Sequence, residues 1–229
     1  MVYEVLLIIA VVIIAFYLYI YFQPAPKPPH IYYINLDKRQ DRNQEFLGEM
    51  ARMNIINFTR IPATHMPKQG ALGCSLSHIK ALETFLESTH GTCCILEDDF
   101  TFVLGQRQVA SLFKTLETVP YDVCMLAANV LSSDATEHTL LRKVHDAQTT
   151  AGYCVSKSYA RTLLANFREG AAKLKEGFET AGKKEPRFCL DIFWKSLQPS
   201  ARWYVMNPKM GIQRESYSDI EERSVRYGV

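Results

Sequence analysis

Apolar and polar positions fall in blocks along this chain, and the sharpest boundary is Cys93-Cys94-Ile95-Leu96 running into Glu97-Asp98-Asp99. A short apolar run without alternation, opened by Gly91 and closed by acids, predicts a strand buried on both faces that ends in an acidic tip. Ile31 to Leu36 predicts a first strand, followed by the polar stretch Asp37 to Arg42 and a helix to about Met53. A second strand, Ile56 to Ile61, closes at Pro62. Gly70 to Lys80 opens an amphipathic helix that runs to about Ser88, with Leu76, Ile79, Leu82 and Leu86 on one face. Gln106 to Glu117 predicts another helix and Tyr121 to Ala128 another buried strand. Asn129 to His145 is polar and irregular, which suits a flexible loop over a site as well as plain surface. Thr149 to Ser156 reads as a returning strand, packed by a helix from Lys157 to Phe167, and residues 169–184 as a solvated helix or loop. Arg202 to Gln213 reads as a strand pair interrupted by Pro208. Strands alternating with helices predict an α/β fold with a mainly parallel central sheet.

The blocks also suggest an organisation. Residues 1–22 contain an apolar run from Val5 to Phe22 with Tyr17, Tyr19 and Tyr21 near its far end, which reads as a transmembrane anchor with an aromatic belt. A cleaved signal peptide competes with that reading, but a basic leading region and a small-residue cleavage site are missing. Residues 23–30, rich in proline, read as a stiff spacer before a single folded domain over residues 31–229. The expectation is a single-pass membrane protein that meets the membrane through this helix. Its orientation stays open: Lys27, Lys38 and Arg39 favour a cytosolic domain, while the Asn57-Phe58-Thr59 sequon permits a lumenal one.

Composition removes several classes. A net charge of +2, with no basic cluster interleaved with aromatics, argues against a nucleic-acid partner. The 6 cysteines sit mostly inside apolar segments, as buried thiols do, and no Cys-x-x-Cys pair is present. Cys74 and His78 stand one helical turn apart without a second ligand pair, which argues against zinc. Gly177 to Lys184 nearly spells a phosphate-binding loop, but Lys184 replaces the magnesium-binding hydroxyl and no strand precedes it.

Candidate chemistry gathers at the predicted strand ends, where ligands of such sheets collect. Glu97 and Asp99, one residue apart, make a pair of hard oxygen ligands for a divalent cation if the chain stays extended, or else part of a solvated turn. Arg39 and Arg42 follow the first strand, where a guanidinium fork can grip a diphosphate; an exposed first helical turn is the plainer alternative. Gly73, Ser75 and Ser77 open a helix whose free amides suit an anion, although Ser75 can simply cap it and His78 can simply pack. Asp191, alone in the apolar Phe188 to Trp194, caps a helix or faces a cleft as a general base.

Taken in order, Ile34-Asn35-Leu36-Asp37-Lys38-Arg39 with Asp41-Arg42, Gly73-Cys74-Ser75-Leu76-Ser77-His78, Leu96-Glu97-Asp98-Asp99, Gly152-Tyr153-Cys154-Val155-Ser156, Asp191 and Ser218-Asp219-Ile220 resemble the family 25 glycosyltransferases, which include lipooligosaccharide and procollagen galactosyltransferases. The resemblance spans about residues 31–220. It implies a GT-A-like fold, a UDP-sugar donor, Mn2+ or Mg2+, inversion at the anomeric carbon, and a glycan, lipid-linked or protein acceptor. On it, Glu97 and Asp99 hold the metal, Asp98 orients that shell, and Asp191 is the catalytic base. Asn35 and Leu36 hold uridine and ribose, Arg39 or Arg42 lies near phosphate, and Ser77 joins the donor site. The family usually has Pro-x-Asp where Cys189-Leu190-Asp191 stands here. Two other functions fit the same acids: a non-catalytic sugar or nucleotide binder and a metal-dependent phosphohydrolase.

Overall fold

The computed structural model describes residues 2–21, 28–218 and 223–225. In chain order the elements are α1 (Val2–Tyr21), β1 (His30–Asn35), α2 (Gln40–Arg52), β2 (Phe58–Pro62), α3 (Gly70–Glu87), β3 (Thr92–Glu97), β4 (Phe100–Phe102), α4 (Gln106–Glu117), β5 (Val123–Ala135) and β6 (Leu141–Ser156). They continue with α5 (Lys157–Ala181), α6 (Leu190–Phe193), β7 (Trp203–Met206), β8 (Gly211–Gln213), β9 (Ser216–Ser218) and β10 (Arg223–Val225).

A six-stranded sheet runs in the order β2-β1-β3-β6-β5-β7. Neighbours β2 and β1, β1 and β3, and β5 and β7 are parallel, so the sheet is mainly parallel as expected. The exception is β6, antiparallel to both β3 and β5. No helix separates β5 from β6, so the chain turns straight back. The polar stretch read as a loop is therefore the outer part of this long hairpin: Asn129 to Ala135 and Arg142 to Gln148 satisfy each other's backbone while their side chains stay mostly outside the core.

Both faces of the sheet are covered, which explains the missing alternation in β3. Cys93 and Ile95 face one core with Leu82, Phe85, Leu163 and Trp194, brought by α3, α5 and the segment after α6. Cys94 and Leu96 face the other, with Phe46, Met50, Phe113 and Leu116 from α2 and α4. Helix α5 is longer than Lys157 to Phe167, because Ala171 and Leu174 continue its buried stripe. Gly182, in the left-handed conformation at φ 66°, ends it, and so the near-match to a phosphate-binding loop is a helix C-terminus. The expected strand pair near Pro208 is split: β7 joins the main sheet, while β8 pairs with β4.

The membrane expectation is corrected. Among the described residues, no helix is long and apolar enough to cross a membrane. Most of the proline-rich spacer, and Asp219 and Ile220 of the last motif, lie outside the described residues.

Candidate active site

Parallel pairing of β1 with β3 sets Ile34 beside Glu97, so both strands release their following residues at one edge of the sheet. There a cavity of about 380 Å³ opens between the sheet edge, the loop after β2 and the start of α3. Asn35, Leu36, Lys38 and Arg42 line one side of it, Gly73, Cys74, Ser77 and His78 another, and Glu97, Asp98 and Asp99 its floor.

Beyond Glu97 the chain leaves the extended state: Asp98 and Asp99 form a turn before β4. The turn still delivers Glu97 and Asp99 to the same cavity, because Asp99 is clamped from several directions. Arg42 Nη1 lies 2.9 Å from Asp98 Oδ1 and 3.1 Å from Asp99 Oδ2. Gln213 Nε2 donates to Asp99 Oδ2 at 3.2 Å, and Arg214 donates through its backbone N–H to Asp99 O and through Nη2 to Asp98 O. The other carboxylate oxygen, Asp99 Oδ1, is buried with no hydrogen-bond partner. Burial first, and then the negative charge of Glu97, push the Asp99 carboxyl up to about 7. Asp98 is also raised, by burial, against the opposing pull of Arg42 and Asn35.

Glu97 differs. Burial raises its pKa, but the neighbouring His78 imidazole, the Thr150 hydroxyl and Arg42 reverse this and leave it lowered. Thr150 Oγ1 donates to Glu97 Oε1 at 2.8 Å. Thr150 is aimed there by an irregularity in β6, where pairing with β5 slips between Ala127 and Asn129 and Thr149 takes φ 91°. Asp191 sits in the first turn of α6, where Cys189 is the capping residue, so it is not the cap. Burial, then Glu97, raise its pKa, with the Thr149 backbone N–H pulling it the other way. Asp191 stands beside Glu97 and Cys74 without lining the cavity.

Other predicted residues divide. Leu36, Arg42 and Ser77 line the cavity. The Asn35 amide is occupied by protein: Nδ2 donates to Asp98 Oδ2 and Arg39 O, and Oδ1 accepts from Arg60 Nε. Ser77 Oγ donates to Gly73 O and accepts the Thr64 N–H, which fastens the loop after β2 to α3. Arg39 pairs with Asp41 and is not among the lining residues. The residues missed from sequence are Thr150, within β6, and Gln213 and Arg214, at the end of β8, which reach the acids from more than fifty positions away and carry no local signal.

Glu97 and Asp99 fit a hard divalent cation: both offer oxygen only, both meet one cavity, and Asp99 Oδ1 is a buried acceptor still lacking a donor. Lys38 and Lys68 line the same cavity, so it offers cationic as well as acidic side chains to a ligand.

Part of the segment that lines this cleft, from His65 to Asp99, lies within a stretch that matches a known family model. Residues 65–174 match Glycosyltransferase family 25 (LPS biosynthesis protein), the family whose motifs the chain resembles. Among solved structures, the glycosyltransferase GlyE of Streptococcus pneumoniae TIGR4 is similar, with TM-score 0.42 and 8% identity over 78% of this chain and 45% of that one. A glycosyltransferase involved in glycosylating the major capsid of PBCV-1 is similar with TM-score 0.41 and 10% identity over 84% and 95%. This chain thus spans under half the length of GlyE. No curated protein matches it.

Proposed function

We propose that this domain, of GT-A type, transfers a hexose, galactose or glucose, from a UDP-sugar to a hydroxyl of a glycan, lipid-linked or protein acceptor, with inversion. One observation carries the reading: Glu97 and Asp99 line a single cavity together with Lys38, and Arg42 is ion-paired at its acids. Glu97 and Asp99 would hold a divalent cation, Mn2+ or Mg2+, which supplies Lewis-acid neutralisation of the diphosphate. Asp98 pins Arg42 and Asn35, so the arginine is held at the acids and the end of β1 stays in register with them. The end of β1, at Asn35 and Leu36, forms the wall for uridine and ribose, and Ser77 keeps the loop after β2 closed over it. Asp191 takes the acceptor hydroxyl proton as that oxygen bonds to the anomeric carbon and the bond to UDP breaks with its electron pair. The raised Asp191 carboxyl supports this role, since a base is most effective when its pKa lies nearer the working pH.

The full chain, incubated with a panel of UDP-sugars and candidate acceptors, with Mn2+ or with chelator, tests the reading. Cation-dependent release of UDP is expected. Binding of UDP without turnover of any donor would make the protein a binder, and inorganic phosphate as product would make it a phosphohydrolase.

A further inference from the structure

Cys74 and His78 lie four positions apart on α3 and so share a helical face. Glu97, at the end of β3, stands opposite them. The Cys74 sulfur, a His78 ring nitrogen and a Glu97 carboxylate oxygen lie within 4.8 Å of one another, and all three residues line the cavity. His78 is fully buried. Its Nδ1 is 3.0 Å from Tyr153 Oη, whereas Nε2 has no hydrogen-bond partner and stands 3.4 Å from Glu97 Oε1. One ring nitrogen tied by a hydrogen bond, with the other aimed bare at a thiol and a carboxylate, is how metal-ligating histidines are held. As a merely packed histidine, the residue has only the long 3.4 Å approach to Glu97 Oε1 to occupy Nε2.

We propose that Cys74, His78 and Glu97 form a second cation site, selective for a zinc-class metal and sharing Glu97 with the oxygen pair Glu97 and Asp99. Thiolate and imidazole donors favour Zn2+ and Co2+ over Mn2+ and Mg2+. Three protein ligands leave a fourth position open toward the cavity. A tetrahedral ion with bonds of about 2.0–2.3 Å holds its donors about 3.5 Å apart; His78 Nε2 and Glu97 Oε1 already stand 3.4 Å apart, and no donor separation exceeds 4.8 Å. Cys74 binds as thiolate and its proton leaves to solvent. Because Glu97 belongs to both sets, a metal on the sulfur-containing set withdraws a ligand from the oxygen pair and opposes cation-supported transfer. That last consequence rests on the transferase reading; the metal binding does not.

The test titrates the metal-free full chain with Co2+ and reads absorbance. A thiolate-to-cobalt charge-transfer band saturating at one ion per chain is expected, lost in Cys74→Ser and kept in Cys189→Ser, the neighbouring thiol. Tyr153→Phe, which frees His78 Nδ1, should keep the band and weaken affinity about 10–100-fold. No band in folded wild-type protein, or a band that survives Cys74→Ser, overturns the proposal. Zn2+ should also inhibit Mn2+-supported UDP release in wild type and much less in Cys74→Ser. A cobalt band without any UDP release would leave the site standing and sink the transferase reading; UDP release without the band would do the reverse.

Discussion

Asn35 Nδ2 donates to Asp98 Oδ2 at 2.7 Å, and both residues are buried. This bond joins the end of β1 to the acidic turn after β3, so the two halves of the candidate site move as one. Asn35→Ala would strip a donor from Asp98 and an acceptor from Arg60 together. A loss of about 1–3 kcal/mol in denaturant unfolding is expected for the unsatisfied buried groups. Asn35→Asp should cost more, because it sets a second negative charge against Asp98.

Arg42 is the only side chain shown within ion-pair distance of both Asp98 and Asp99 among the described residues. Arg42→Met would leave two buried carboxylates without that partner. Unfolding should become easier by about 3–5 kcal/mol, the usual penalty for breaking a buried pair from one side. Adding Mn2+ should recover part of this loss, and thermal melts with and without the ion would show it.

Asp99 is raised to about 7, above its ordinary value of 3.8, so the folded state favours its protonated form. Its contribution to stability is therefore present below about pH 4 and is lost as pH rises through about 7. Asp99→Asn should flatten this part of the stability profile, keep the fold, and cut transfer sharply; wild-type turnover in that variant would end the oxygen-pair assignment. A divalent ion should raise the melting temperature of the wild type above pH 7 far more than below pH 5, since only the ionised carboxylate binds it.

Asp191 is also raised, by burial and by Glu97. A base must be ionised, so kcat should climb with pH through the elevated Asp191 value. Asp191→Asn should lower kcat at least a hundredfold, within the range attributed to general base catalysis of about 10²–10⁴, with a smaller change in the donor KM. An unchanged kcat would remove the residue from the mechanism.

Gly73 has no room for a side chain. A Cβ there would meet Thr64 O at 2.6 Å, backbone against backbone. Gly73→Ala should destabilise by about 1–3 kcal/mol through overpacking. It should also raise the donor KM, because α3 and the loop after β2 together frame the cavity.

Much of this was legible beforehand because it is local. The unbroken apolar run of β3 marked a strand covered on both faces, and the acids that follow it marked the edge where the cavity opens. The family motifs pointed to Asn35, Leu36, Arg39, Arg42, Ser77, Glu97, Asp98, Asp99 and Asp191, and of these all but Arg39 and Asp191 line one cavity. What misled was also local. The polar stretch after Ala128 lacked the one-sided alternation of a strand because most of its side chains lie outside the core, although Leu141 to Lys143 also pair with β7. The apolar N-terminal run satisfied a hydropathy pattern, yet no helix among the described residues is long and apolar enough to cross a membrane.

The sequence by itself determined the strand and helix periodicities, the acidic tip and the ordered motifs, since each depends on neighbours a few positions apart. Tertiary structure alone decided which acids differ in proton affinity. Glu97 is lowered because α3 and β6 bring His78 and Thr150 to it, while Asp99 is raised because it shares a buried corner with Glu97. Those partners lie far apart along the chain, and charge interactions depend on distance in space and on exclusion of water, neither of which a linear pattern records.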